Sequence, residues 1–196
     1  MSLEKNEQGK ILLQIARTAI SRALHMPYVP AVVDENTPWL SQSGATFVTL
    51  TQWGELRGCV GSLQACDPLI EDVSNNAVSA ALYDPRFVPL AADELDTVSL
   101  EVSLLSELQP LGFTSEADAL AQLRPNIDGL VFEYGPYRST FLPQVWESLP
   151  QPQQFLARLK SKARLSEDFW DEDIKLSRYT VSKWRETDYS REYAHG

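Results

Sequence analysis

The 196-residue chain has little of what most reactive or cross-linked sites are built from. It holds two histidines and two cysteines. The histidines, His25 and His195, lie outside any motif, so no Cys–His dyad, HxH pair or paired CxxC spacing is visible. Two cysteines make no disulfide framework and fit a reducing compartment. Basic residues are the minority, 17 Lys plus Arg against 27 Asp plus Glu, for a net charge of −10. Binding along a phosphate backbone needs a basic footprint, so general nucleic-acid and anionic-membrane binding are disfavoured. No paired aromatic strand motif of the RRM type occurs, and the aromatics read mostly as core. No apolar run reaches the length of a membrane span. The first twenty residues show acidic residues and helical spacing, not the basic start and apolar centre of a signal peptide. A cytoplasmic protein is the expectation. Repeats, low-complexity tracts and dividing linkers are also missing, and the length suits one domain able to bury a core without metal or disulfide.

What is present alternates between helical and strand patterns. Ile11, Leu12, Ile15, Ala16, Ala19, Ile20 and Ala23 recur at helical spacing over 4–24. Pro27, Pro30 and Pro38 then impose a loop or extended arm. "GATFVTLTQWGELRGCVGS" predicts two strands joined by a turn over Gln52 to Glu55, with Gly54 free to take positive φ. "DPLIEDVSNNAVSAALY" predicts a helix with Asp67 as N-cap and Pro68 in its first position. Val98, Leu100, Val102 and Leu104 alternate with Ser99, Glu101 and Ser103, the pattern of a half-buried strand. A short helix over Glu116 to Leu123, a hairpin around Gly135 and Pro136, a helix over "QPQQFLARLKSKARL" and a last strand "IKLSRYTVSKW" complete the pattern. Hairpins outnumber βαβ units, which indicates an α+β fold with a mainly antiparallel sheet flanked by helices. The ordered domain is expected over 4–185, with 186–196 a frayed tail.

The candidate chemistry centres on "LRGCVG", residues 56–61. Cys59 stands two residues from Arg57, so in a regular strand both would share a face. One reading makes Cys59 a nucleophile with Arg57 as its electrostatic partner. The other makes it a small buried residue beside a kink, with Gly58 and Gly61 marking close backbone approach. A bulge at Gly58 would break the Arg57–Cys59 relation. In "DPRF", residues 84–87, Arg86 is either an anion clamp or one half of a structural tie to Asp84, the second being favoured. Cys59 and Cys66 lack paired metal-ligand spacing. Carboxylates such as Asp67, Asp84 and Glu101 could complete an oxygen-rich site, but an N-cap, a turn aspartate and a strand-surface glutamate are the favoured readings, so no metal site is assigned and the cofactor is left open. "RGCVGS" fits neither the Walker spacing nor a dinucleotide fingerprint.

Taken in order, "LRGCVGS", "DPLIEDVSNNAVSAALYDPRFVPLAADEL", "EVSLLS", "DGLVFEYGPYRSTFLPQVWE", "FLARLKSKARL" and "IKLSRY" resemble the AMME-syndrome candidate gene product family. Its prokaryotic members are called AmmeMemoRadiSam system protein A. The likeness runs from about the first helix to Tyr179. It implies a larger and a smaller subdomain with a cleft between them, and a family whose activity is not established. It also implies a functional site at the Leu-Arg-Gly-Cys motif, on Leu56, Arg57, Gly58, Cys59 and Gly61; there Cys59 is expected as the reactive group and Arg57 as its electrostatic partner. Asp84 and Arg86 would form a cleft wall, with Glu101 and Ser103 adding polar contacts if their strand lies alongside. A Memo-type protein, dioxygenase-like in fold, and a radical-SAM protein are the implied pathway partners. An adaptor for those partners, with the motif purely structural, is the competing expectation. Two departures stand out. Val88 replaces a common proline after "PRF", which predicts a less rigid turn. Arg164 replaces a common glycine after the late helix, which predicts loss of the favoured left-handed residue there.

Overall fold

The computed structural model describes residues 3–31 and 37–189. His195 and the tail beyond Tyr189 lie outside the described residues. In chain order the elements are α1 (Leu3–Ala23), β1 (Thr46–Gln52), β2 (Glu55–Gly61), α2 (Leu69–Leu82), β3 (Val98–Leu105), β4 (Gln109–Pro110), α3 (Glu116–Gln122), β5 (Gly129–Tyr134), β6 (Tyr137–Phe141), α4 (Pro152–Lys162), β7 (Lys175–Tyr179), β8 (Val181–Arg185) and α5 (Glu186–Tyr189). The fold is α+β, with antiparallel pairings in two sheets flanked by helices. Two units divide the chain: Met1–Leu105 with Ser182–Gly196, and Ser106–Val181.

The first unit carries the sheet β2-β1-β3-β8. Val48 and Leu50 of β1, with Leu100 and Val102 of β3, point to one side and are buried against Leu12, Ile15 and Ile20 of α1 and Val73, Ala77 and Ala80 of α2. This is the one-sided burial that strand alternation predicts. Thr49 and Glu101 are left on the other face, opposite each other in register. The β1–β2 turn has both central residues at positive φ, Trp53 at 56° and Gly54 at 84°, the two-residue geometry that matches strand twist. Trp53 is an exception among the aromatics, being largely exposed.

The second unit carries the sheet β4-β7-β5-β6. Leu130, Phe132 and Leu176 meet Phe155, Leu156 and Leu159 of α4, and Trp146 stacks on Phe155 with ring centroids 3.7 Å apart. The short α3 is capped by Ser115, whose hydroxyl accepts the Asp118 N–H.

Several expectations need revision. Pro68, not Asp67, occupies the N-cap of α2; its carbonyl accepts the Glu71 and Asp72 N–H groups, while the Asp67 carbonyl accepts from Gly44. "IKLSRYTVSKW" is two strands in different sheets, because Thr180 leaves its ladder and exchanges hydrogen bonds with Ser106. The alternation of β3 changes phase near its end, where Ser103 is buried and Leu104 only partly so. Order continues past residue 185 into α5, where Glu186 accepts the Leu100 N–H and pairs with Arg17, and Tyr189 is buried. Arg164 does take the left-handed conformation (φ 66°) in a 6→1, 5→2 hydrogen-bonded helix end, so the conformation survives without glycine.

Candidate functional site

"LRGCVG" forms most of β2, the edge strand of its sheet. Gly58 faces α2: a Cβ there would lie 2.1 Å from the Ala80 carbonyl oxygen. A side chain is sterically barred, and strand and helix pack backbone to backbone. Gly61 faces Phe47, its register partner, whose ring covers it. Both glycines therefore have a packing role, whatever chemistry lies between them.

Between them β2 is irregular. Leu50 pairs with Gly58 and Thr51 with Leu56, so Arg57 is an extra residue in a bulge. The bulge parts Arg57 from Cys59. Arg57 is buried, donating from Nε and Nη2 to Glu94 (3.3 and 3.0 Å) and from Nη1 to the Val88 carbonyl (2.9 Å). Glu94, held by Arg57 above all and by the Ala91 N–H, has its pKa lowered against the opposing effect of burial. The segment around Val88, expected to loosen without its proline, is tied down by Arg57 instead.

The cation beside Cys59 is Arg86. An edge strand offers unpaired peptide groups, and the "DPRF" turn satisfies those of Cys59. Its N–H donates to Asp84 Oδ2 (2.9 Å), and its carbonyl accepts from Arg86 Nη2 (3.1 Å). Asp84 in turn takes Arg86 Nε (2.9 Å) and Nη2 (2.7 Å), as well as the Arg86 N–H (3.1 Å). Asp84 is buried, yet its carboxyl is held well below the usual carboxylate range, first by the Arg86 side chain, which outweighs desolvation, and then by the Cys59 and Arg86 N–H groups. The Arg86 pKa is raised, chiefly by its hydrogen bond to Asp84 against a desolvation penalty, with smaller contributions from the Asp84 charge and the Cys59 thiol. The structural tie read from sequence is present, and it clamps the Cys59 backbone as well.

The Cys59 side chain is half-buried on the face opposite the core, where the Thr49 hydroxyl donates to Sγ at 3.2 Å. Thr49 was missed from sequence, although strand alternation with Val48 and Leu50 puts it on that face. Glu101 follows in the same row across β1, but its carboxylate is taken by Arg185 (2.6 Å) and Lys183 (3.6 Å). Ser103 is buried opposite Phe47. β3 pairs with β1 rather than with β2, and neither side chain hydrogen-bonds Cys59. His25 ends α1 in a left-handed cap and is exposed.

Cys66 is exposed, next to Asp67, which pairs with Gly44; Cys59 pairs with Thr49. Five residues of extended chain separate those partners by about 15 Å, so the two cysteines are too far apart to bridge. Among the described residues no three His, Cys, Asp or Glu side chains converge as a metal site, and no helix is long and apolar enough to cross a membrane. A cavity of about 520 Å³ beside α1 includes Gln14, Arg17, Thr18 and Asp96 in its wall but none of the "LRGC" or "DPRF" residues. Of its polar groups, Gln14 and Thr18 donate to the Val29 carbonyl, and Arg17 to Glu186 and the Leu95 and Val98 carbonyls.

Comparison with known proteins places this site in a family context. A protein of Methanothermobacter thermautotrophicus is 36% identical over 186 residues, 92% of this chain and 95% of that one. A protein of Methanocaldococcus jannaschii is 32% identical over 196 residues, 96% and 94%. The crystal structure of an uncharacterized protein from Pyrococcus horikoshii superposes with a TM-score of 0.77 at 32% identity, covering 92% of both chains. The AMMECR1 profile matches residues 13–184, and the chain belongs to the AMMECR1 family.

Proposed function

We propose that the chain is an enzyme, or the thiol-bearing component of one, with Cys59 as its reactive group. The observation that carries this reading is the setting of the sulfur. Sγ accepts the Thr49 hydroxyl at 3.2 Å, beside a guanidinium that Asp84 holds in place. An O–H donor and a fixed cation are what a thiolate needs for stabilisation. Arg86 takes the electrostatic role expected of Arg57, which instead supports the loop that carries Arg86. Gly58, Gly61 and Asp84 hold the strand in place. In the reaction Sγ forms a bond to an electrophilic carbon as that carbon's leaving group departs with the bonding pair, and the thiol proton passes to water, since Asp84 is committed to Arg86 and to N–H groups. The motif resemblance supports a place in a cytoplasmic pathway shared with a Memo-type and a radical-SAM protein.

A second reading, a non-catalytic adaptor for those proteins, is favoured by one specific observation. Gly58 and the Asp84–Arg86 clamp each have a packing task that needs no chemistry. Iodoacetamide labelling of a Cys66→Ser chain separates the two, read beside the output of the pathway. The enzyme reading expects native Cys59 to react at least as fast as a free small thiol. It also expects Cys59→Ser to abolish output without lowering Tm. A Cys59 that reacts only after unfolding, with output intact in Cys59→Ser, leaves the adaptor.

A further inference from the structure

We infer that the molecule reacting with Cys59 carries an oxyanion, a carboxylate or a phosphate, bound through Nη1 of Arg86. This rests on the thiol reading above and adds the substrate class.

Arginine offers five N–H donors in a planar fork. Three are spent here: Nε–H on Asp84 Oδ1, and the two on Nη2 on Asp84 Oδ2 and the Cys59 carbonyl. Nη1 makes no hydrogen bond to an oxygen among the described residues, and the Arg86 side chain is 55% exposed. The fork is held on one edge by a buried carboxylate and lies over the Phe87 ring at 5.5 Å. Nη1 is thus pre-set, and little side-chain freedom remains to be lost when an anion docks. An Nη1 N–H can donate a charge-assisted hydrogen bond to one oxygen of a carboxylate or phosphate.

The other charges nearby do not supply this function. Arg57 donates from Nε, Nη1 and Nη2 already. Arg185 and Lys183 are held by Glu101. Asp84 neutralises Arg86 as a pair, and the whole chain carries −10. Selection for an anion therefore comes from Nη1 of Arg86, whose guanidinium is hydrogen-bonded to the Cys59 carbonyl, rather than from a broad positive field. The substrate that fits has an electrophilic carbon a few bonds from its oxyanion. As the Sγ–C bond forms, the leaving group departs with the bonding pair and the thiol proton goes to water.

Two alkylating agents test this directly. Iodoacetate and iodoacetamide form the same S–C bond and release the same iodide; only iodoacetate bears a carboxylate. In the Cys66→Ser chain the rate ratio of iodoacetate to iodoacetamide should be roughly fivefold higher for native Cys59 than for the urea-unfolded chain, the upper range for an exposed charge pair. Inorganic phosphate, exchanged for chloride at constant ionic strength, should bring the native ratio down, and Arg86→Gln should return it to the unfolded value. The phosphate measurement needs no variant, so it stands even if Arg86→Gln fails to fold. Native Cys59 that reacts briskly with iodoacetamide but shows the unfolded ratio overturns the oxyanion inference and leaves the thiol reading intact. Native Cys59 inert to both agents overturns the thiol reading, and this inference with it.

Discussion

Replacing Gly58 by alanine tests whether the "RGC" backbone is placed by contact with α2. A Cβ on Gly58 would stand 2.1 Å from the Ala80 carbonyl oxygen and 3.0 Å from its carbon. Both atoms are helix backbone, so no side chain can swing away. Relief needs β2 and α2 to part by about 1 Å, and overpacking of that kind costs about 1–3 kcal/mol. The same movement draws the Cys59 N–H away from Asp84 Oδ2, weakening a charge-assisted hydrogen bond at a further ~1 kcal/mol. A total near 3 kcal/mol corresponds to a fall in Tm of about 6–12 °C for a chain of this size. Scanning calorimetry, supported by urea midpoints, reads the effect. Gly112→Ala is the control: nothing lies within 4 Å of its Cβ position, and a shift within about 0.5 kcal/mol is expected. A Gly58→Ala chain that melts with the parent would refute the backbone-contact argument, and Gly58 would then need another explanation.

Further predictions concern the clamp and the helix end. The Asp84 carboxyl is depressed in the folded chain, so its contribution is present above the unfolded value of about 3.9 and is lost as pH falls through the lower folded value. Asp84→Asn should therefore cost about 1.5–3 kcal/mol at pH 6, and its Tm gap from the parent should begin to close as pH falls below about 4 and close fully only below the depressed folded value; a gap that stays constant with pH would rule out the ionised clamp. Arg164→Gly should raise stability by about 0.5–1 kcal/mol, because Arg164 holds φ 66° at a cost that glycine does not bear. An unchanged or lower urea midpoint would contradict that strain.

The strands and helices were legible because their periods were intact: Val48 and Leu50, Leu100 and Val102, and the α1 and α2 stripes all face the core that they predict. Pairing within the site was not legible. Reading Arg57 and Cys59 as neighbours on one face assumes unbroken alternation, and the bulge that removes Arg57 shows itself only in the register with Leu50 and Thr51. The residue that replaces it, Arg86, is 27 positions from Cys59, and the contact depends on where α2 delivers the "DPRF" turn. The polar cluster of Asp72 with Thr46 and Asn76 was equally hidden, since a buried carboxylate in an amphipathic helix looks like a surface one until its partners are known. The break at Thr180 was masked by an apolar–polar alternation that continues through both strands.

The clamp also explains why the sulfur can be tested apart from the scaffold. Cys59 contributes to the fold through its N–H and C=O, held by Asp84 and Arg86. Any residue type presents those two groups. Its side chain accepts from Thr49 through a sulfur that is a weak acceptor, and interacts more weakly with Arg86. Cys59→Ser keeps the backbone clamp and gives Thr49 a hydroxyl partner, so a change beyond about 0.5 kcal/mol is not expected. Gly58, Asp84 and Arg86 are different, because changing any of them moves the backbone together with the thiol. Loss of pathway output in Cys59→Ser at unchanged Tm therefore reports on chemistry at sulfur, whereas loss in the other three variants reports on the position of the strand.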